Sequence, residues 1–288
     1  MNDTLRACLW MIGAIASFTT MAVAGRAVSL TLDTFEIMLF RSLIGIVIVL
    51  VVASITGARR QITRRSMGTH LIRNLFHFSG QNLWFYSITV IPLAQVFAIE
   101  FTSPFWVMLM GAVILGERLT PNRVAAAALG FVGILIVTRP SADTLEWGQL
   151  TAALAAIGFA GSAVYTRRLT RTESITCILF WLTVMQAAFG LICAGIDGDI
   201  ALPTADNWPW VIVIACAGLV AHFCLTTALS LAPATVVMPI DFTRLPVIAI
   251  VGMLLYREAL DLWVFVGAAV IFGANYANIW FETRRRTT

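Results

Sequence analysis

Apolar runs of about 17 to 25 residues, each bounded by charge or by Pro and Gly, follow one another along the whole chain and leave little choice of fold. They are Leu5 to Ala24, Thr34 to Thr56, His70 to Thr89, Leu93 to Leu115, Asn122 to Thr138, Trp147 to Tyr165, Ser174 to Ala194, Trp208 to Leu229, Ala234 to Leu255 and Leu262 to Phe281. A helix needs roughly 20 apolar residues to cross ~30 Å of hydrocarbon, whereas barrel strands alternate over only ~10. Runs this long satisfy their backbone groups internally only as helices. The expectation is an all-α polytopic membrane protein of ten transmembrane helices. Only 12% of the 288 residues are charged and 59% are hydrophobic, too little charge to clothe a soluble surface.

Shifting the chain by 141 residues lays span one on span six and so on to span ten. Matches between Ala, Ile or Leu carry little weight in so apolar a chain. The argument rests on Phe18/Phe159, Arg26/Arg167, Pro92/Pro233, Phe101/Phe242, Thr102/Thr243, Gly111/Gly252 and Glu117/Glu258. This predicts a tandem duplication, residues 1–140 and 141–288. Because five is odd, the second unit enters the membrane from the opposite side, which makes the halves inverted repeats.

All 19 basic residues are Arg. With the N-terminus inside, fourteen lie on the inner side (Arg6, Arg59, Arg60, Arg64, Arg65, Arg73, Arg118, Arg123, Arg167, Arg168, Arg171 and Arg284 to Arg286). Only Arg26, Arg139 and Arg257 lie outside, so both termini are expected in the cytoplasm. The net charge of +4 reads as orientation in the membrane and not as a nucleic-acid surface. Arg6, the following apolar run and Ala22-Val23-Ala24 imitate a cleaved signal peptide. Removing that run would break the repeat and invert the Arg asymmetry, so it is retained as the first span. Cys8, Cys177, Cys193, Cys216 and Cys224 fall inside apolar runs without metal-ligand spacing.

Leu115-Gly116-Glu117-Arg118-Leu119-Thr120, followed by Leu129-Gly130-Phe131-Val132-Gly133-Ile134 and echoed by Tyr256-Arg257-Glu258-Ala259-Leu260, resembles the EamA-type drug/metabolite transporters. Gly116 of the first copy is replaced by Arg257 in the second. The resemblance covers the whole chain and implies ten helices in two five-helix units. It also implies a multi-pass carrier of the bacterial inner membrane, a monomer or weak homodimer, partnered by a small-molecule solute and the lipid bilayer. Similarity to the bacterial amino-acid exporters of this group implies export of amino acids, neutral or aromatic ones included, by alternating access. Import or exchange of another metabolite is the alternative.

Charge at mid-span is costly and faces a cavity or a partner. Arg41, Glu100, Asp241 and Arg244 lie near the midplane by helical rise. They offer opposite-sign anchors for an amino acid, or else the internal salt bridges Arg41–Glu100 and Asp241–Arg244. Gln81 aligns with His222 in the repeat, and His77 shares the Gln81 face. Phe18, Trp84, Tyr86, Trp106 and Trp181 are candidate cavity walls, while Trp147, Trp208, Trp210, Trp263 and Trp280 suit the interfaces. Pro104, Pro239 and Pro246 interrupt spans four and nine and are candidate hinges. Ala126 and Gly130 in span five, and Ala269, Gly273 and Ala277 in span ten, recur at helical spacing that permits close helix contact, so these two spans read as structural or dimer-forming and not as solute-lining. An intramembrane enzyme would need a nucleophile with its base or a metal pair, and the three His lack ligand spacing. No enzymatic activity, cofactor, metal or nucleic acid is expected.

Overall fold

A computed structural model describes residues 3–116, 121–139, 146–196, 198–231, 240–241 and 243–287. All regular structure among them is helical. The helices are α1 (Asp3–Val28), α2 (Thr34–Ile55), α3 (Met67–Val90), α4 (Leu93–Glu100), α5 (Ser103–Leu115), α6 (Pro121–Thr138), α7 (Trp147–Leu169), α8 (Ile175–Ala194), α9 (Trp208–Leu231), α10 (Arg244–Tyr256) and α11 (Leu262–Thr287). Six segments are long and apolar enough to cross a membrane: Leu5–Val28, Thr34–Ile55, Leu93–Ile114, Trp147–Leu169, Ile175–Ala194 and Trp208–Leu225. Three shorter apolar helices join them, Val124–Val137, Arg244–Tyr256 and Leu262–Ala274.

The helices pair as α1 with α9, α3 with α7, α2 with α8 and α6 with α11. Exchanging each for its counterpart 141 residues away turns the first pair into the second and leaves the other two unchanged. The duplication seen in the sequence is therefore expressed in the packing. Glycine permits the closest approaches. A Cβ on Gly158 of α7 would meet Gly80 Cα of α3 at 2.7 Å, and one on Gly190 of α8 would meet Leu39 N of α2 at 2.9 Å. Spans five and ten do pack closely, but through Gly133 and Gly267: a Cβ on Gly267 would lie 2.6 Å from Gly133 O. Gly273 faces open space, because the helix crossing selects the register and spacing alone does not.

Span four is broken. Its halves α4 and α5 meet at Phe101 and Thr102, where the Thr102 hydroxyl donates to Ile99 O at 2.7 Å. Thr243, the repeat counterpart, donates to Ile240 O at the same 2.7 Å just before α10. Pro104 sits in the first turn of α5, where a missing N–H costs little, and Ser103 Oγ donates to the Glu100 carbonyl that the proline leaves free. Pro246 likewise falls in the first turn of α10. The discontinuity thus lies at the Thr positions, and Pro104 and Pro246 start the half-helices that follow. Pro239 lies outside the described residues, as do Glu117 to Thr120.

Candidate functional site

Along α3 the buried face is polar and the exposed face apolar. On α3, His70, Arg73, Asn74, His77 and Gln81 recur at helical spacing and all are buried, while Leu71, Ile72 and Leu75 are exposed. This is the reverse of a helix on a soluble protein, and it places α3's polar stripe inside the bundle.

Arg41 of α2, Thr183 and Gln186 of α8, and Gly218 and His222 of α9 line a cavity of about 20 Å³. That is room for roughly one water. Gln186 Nε2 donates to Asn74 O at 3.2 Å. Asn74 Nδ2 in turn donates to Trp181 O at 3.3 Å, and its Oδ1 accepts from Arg73 Nη1 at 2.9 Å. The Arg73 Nε donates to Thr166 Oγ1 at 3.0 Å. His77 lies 6.3 Å from His222, ring centre to ring centre, and His222 meets Phe18 edge-on at 5.8 Å. The Arg41 guanidinium stands 6.0 Å from the Phe85 ring centre. Arg41 Nη1, His77 Nδ1, Gln81 Nε2 and Gln186 Oε1 are buried and make no hydrogen bond. Among the described residues no carboxylate pairs with Arg41 or Arg73. The chamber is thus positive, with a guanidinium N–H unmatched.

The acidic groups gather elsewhere. Arg244 Nη2 donates to Glu100 Oε1 and to Asp241 Oδ2, both at 3.3 Å. Trp84 Nε1 donates to Glu100 Oε2 at 2.9 Å. Three rings enclose the guanidinium, Phe18 at 4.7 Å, Phe97 at 4.9 Å and Phe101 at 5.1 Å. The expected Asp241–Arg244 bridge is present. Glu100 joins that bridge and does not pair with Arg41, because the break in span four swings α4 against α10. At one end of the bundle Arg26 donates to Glu258 and to the carbonyls of Ile88 and Ile91, and Glu258 also accepts from Leu93 N at 3.0 Å. Near that end Glu36 closes a capping box with Asp33 and accepts from Ala201 N at 2.5 Å.

Of the other aromatic candidates, Trp106 is half-buried on α5. Tyr86 is 42% exposed on the outer face of α3, directed away from the chamber by the helical turn between it and Gln81. Trp181 lies toward the start of α8, its indole N–H on Thr63 O at 2.7 Å. Gln186, Asn74 and Thr183 were not among the candidates read from the sequence. The three-and-four spacing of polar residues through α3, and a glutamine at mid-span in α8, were the available signals.

Residues 5–139 and 146–279 each match the model of the EamA-like transporter family. A "Riboflavin transporter" of Brucella anthropi is 34% identical over 75% of this chain and 78% of its own. An "S-adenosylmethionine uptake transporter" of Rickettsia bellii is 25% identical over 99% of this chain and 98% of its own. The "Pseudopaline exporter CntI" of Pseudomonas aeruginosa is 28% identical over 93% and 94%. A solved crystal structure 20% identical to the chain superposes with a TM-score of 0.65 over 98% of each, which shows the fold.

Proposed function

The chain belongs to the EamA-like transporter family, and from that premise we propose that it takes up a flat, uncharged organic solute rich in carbonyl acceptors, with riboflavin as the test case. The observation that carries this reading is the Arg41 chamber, a buried guanidinium with an unmatched N–H and, among the described residues, no carboxylate paired with it; at about 20 Å³ the chamber must widen to admit the solute, as alternating access requires. Gln186 lines the chamber and supplies a hydrogen-bonding group, with His77 and the Phe18 ring edge close behind through His222. A free amino acid needs an anion for its ammonium group, and Glu100 and Asp241 are already committed to Arg244. A sulfonium cation such as S-adenosylmethionine would meet like charge at Arg41. Export of amino acids therefore rests on family resemblance alone. Export of another solute remains the second reading, favoured by the similarity to the pseudopaline exporter.

The carrier works by alternating access in the bacterial inner membrane, with ten spans in two inverted repeats and both termini cytoplasmic. The pairing of α1 with α9 and of α3 with α7 supports that arrangement. The paired breaks at Thr102 and Thr243 are where each unit would bend, and the triad of Glu100, Asp241 and Arg244 couples the two broken spans.

Uptake of labelled riboflavin, S-adenosylmethionine and phenylalanine into proteoliposomes tests the reading. Riboflavin is expected to enter and to be excluded by an excess of unlabelled riboflavin only. Arg41→Gln should lower its uptake about tenfold or more while the protein stays monodisperse. Entry of phenylalanine with no effect of riboflavin would overturn the solute assignment.

A further inference from the structure

A second cluster of chemistry-bearing side chains lies away from the chamber, where α3 and α8 both begin. His70 Nδ1 or Nε2, a Glu173 carboxylate oxygen and Cys177 Sγ lie within 4.8 Å of one another, and all three residues are buried. His70 is 0% exposed, and neither of its ring nitrogens has a hydrogen-bond partner. Glu173 Oε1 is also buried without a partner. A fully buried imidazole unmatched at both nitrogens is costly, since each ring nitrogen has lost its water. One nitrogen could be relieved by a donor and the other by an acceptor, but a metal cation would engage the imidazole lone pair, the carboxylate and, once its proton has left, the Cys177 sulfur together.

We propose that His70, Glu173 and Cys177 bind a zinc ion. The donor set of nitrogen, oxygen and sulfur matches zinc's borderline preference and disfavours calcium and magnesium, which take oxygen alone. Bonds of about 2.0 to 2.3 Å set tetrahedral donors about 3.3 to 3.8 Å apart, so the three side chains close in by roughly 1 Å. Three protein donors leave a fourth position for water. On binding, Zn–N, Zn–O and Zn–S bonds form, and the Cys177 S–H bond breaks with its proton released to water.

The surroundings already orient the donors. Thr63 Oγ1 donates to Glu173 Oε2 at 2.7 Å, and Thr63 N donates to Cys177 Sγ at 3.4 Å. Trp181 holds Thr63 through the indole bond to Thr63 O, which Cys177 Sγ also approaches at 3.5 Å, and its ring lies 6.4 Å from that of His70. Such partners position metal ligands and raise affinity. His70 belongs to the first matched segment and Glu173 and Cys177 to the second, so the ion would clasp the two at this face.

The test uses the full chain in detergent with Cys8, Cys193, Cys216 and Cys224 replaced by Ser, leaving Cys177 as its single thiol. Chelator-treated protein is loaded with zinc chloride, desalted and measured for metal by mass spectrometry, with magnesium and calcium as controls. One zinc per chain is expected, with neither control retained. Cobalt in its place should give a thiolate charge-transfer band that Cys177→Ser abolishes, and His70→Ala should weaken retention about tenfold or more. Should either variant fail to fold, competition between the chelator-treated parent protein and a chromophoric zinc indicator gives the answer, with one zinc withdrawn from the indicator per chain. Zinc retention no greater than magnesium's, cobalt without the band, or no zinc withdrawn from the indicator would each overturn the site and leave a hydrogen-bonded clasp.

Discussion

Replacing Arg244 and replacing Glu100 should have very different costs, although the two side chains touch. Arg244 Nη2 lies 3.3 Å from one oxygen each of Glu100 and Asp241, and the Arg244, Glu100 and Asp241 side chains are 5%, 18% and 10% exposed. At an effective dielectric of ~20 each contact between unit charges at that distance amounts to about 5 kcal/mol. Arg244→Met keeps a long apolar side chain against Phe18, Phe97 and Phe101 but leaves two carboxylates facing each other without a cation. After relaxation, breaking a buried pair from one side costs about 3–5 kcal/mol. At ~2 °C per kcal/mol for a chain of this size, the apparent thermal midpoint should fall by about 6–10 °C. Glu100→Gln instead leaves a one-to-one Arg244–Asp241 pair, and its amide oxygen still accepts the Trp84 N–H now at 2.9 Å from Glu100. The change expected there is within ~1 kcal/mol, or about 2 °C. Tryptophan fluorescence on heating, with gel filtration to establish monodispersity, measures both variants. If Arg244→Met melts within about 2 °C of wild type, or Glu100→Gln falls as far as Arg244→Met, the triad is not the electrostatic junction described.

Gly158→Ala should force α7 off α3, since its Cβ would meet Gly80 Cα at 2.7 Å, and should cost about 1–3 kcal/mol, whereas Gly68→Ala, with nothing within 4 Å, should not destabilise; equal midpoints would show that the helix crossing yields. Arg26→Gln removes the Glu258 ion pair and weakens the bonds to Ile88 and Ile91, so spin-label distances between Ser29 and Leu260 should broaden; an unchanged distribution would mean that end is held by other contacts. Single cysteines at Thr204 and at Arg64, in a cysteine-free background, should label from opposite faces of the membrane, the first from outside; labelling of both from one face would refute the inverted arrangement.

The sequence alone carried the all-helical membrane class and the two repeats, because hydrocarbon imposes one-dimensional demands. A span must be long, apolar and hydrogen-bonded within itself, and a local window of residues shows whether it is. The 141-residue repeat was legible for the same reason, down to Phe101-Thr102 and Phe242-Thr243, which mark where span four breaks and α10 begins. The polar residues at mid-span, Arg41, Glu100, Asp241, Arg244, Gln81 and His222, also announced themselves, since each is expensive where it stands. The Asp241–Arg244 pair, three residues apart on one run, was legible as well, but partners on other helices were not. Depth along a helix is fixed by rise per residue, but which helix lies opposite is fixed by packing, so equal depth suggested Arg41 with Glu100 while the broken span delivered Glu100 to Arg244. Packing also gave Arg41 its place beside Gln186 and His222, and turned Tyr86 outward. His70, Glu173 and Cys177 are the extreme case: 103 residues separate the first two, and only the contact between the start of α3 and the start of α8 brings the three donors together. Composition and periodicity determine what a membrane chain must bury, and the helix crossings decide what each buried group meets.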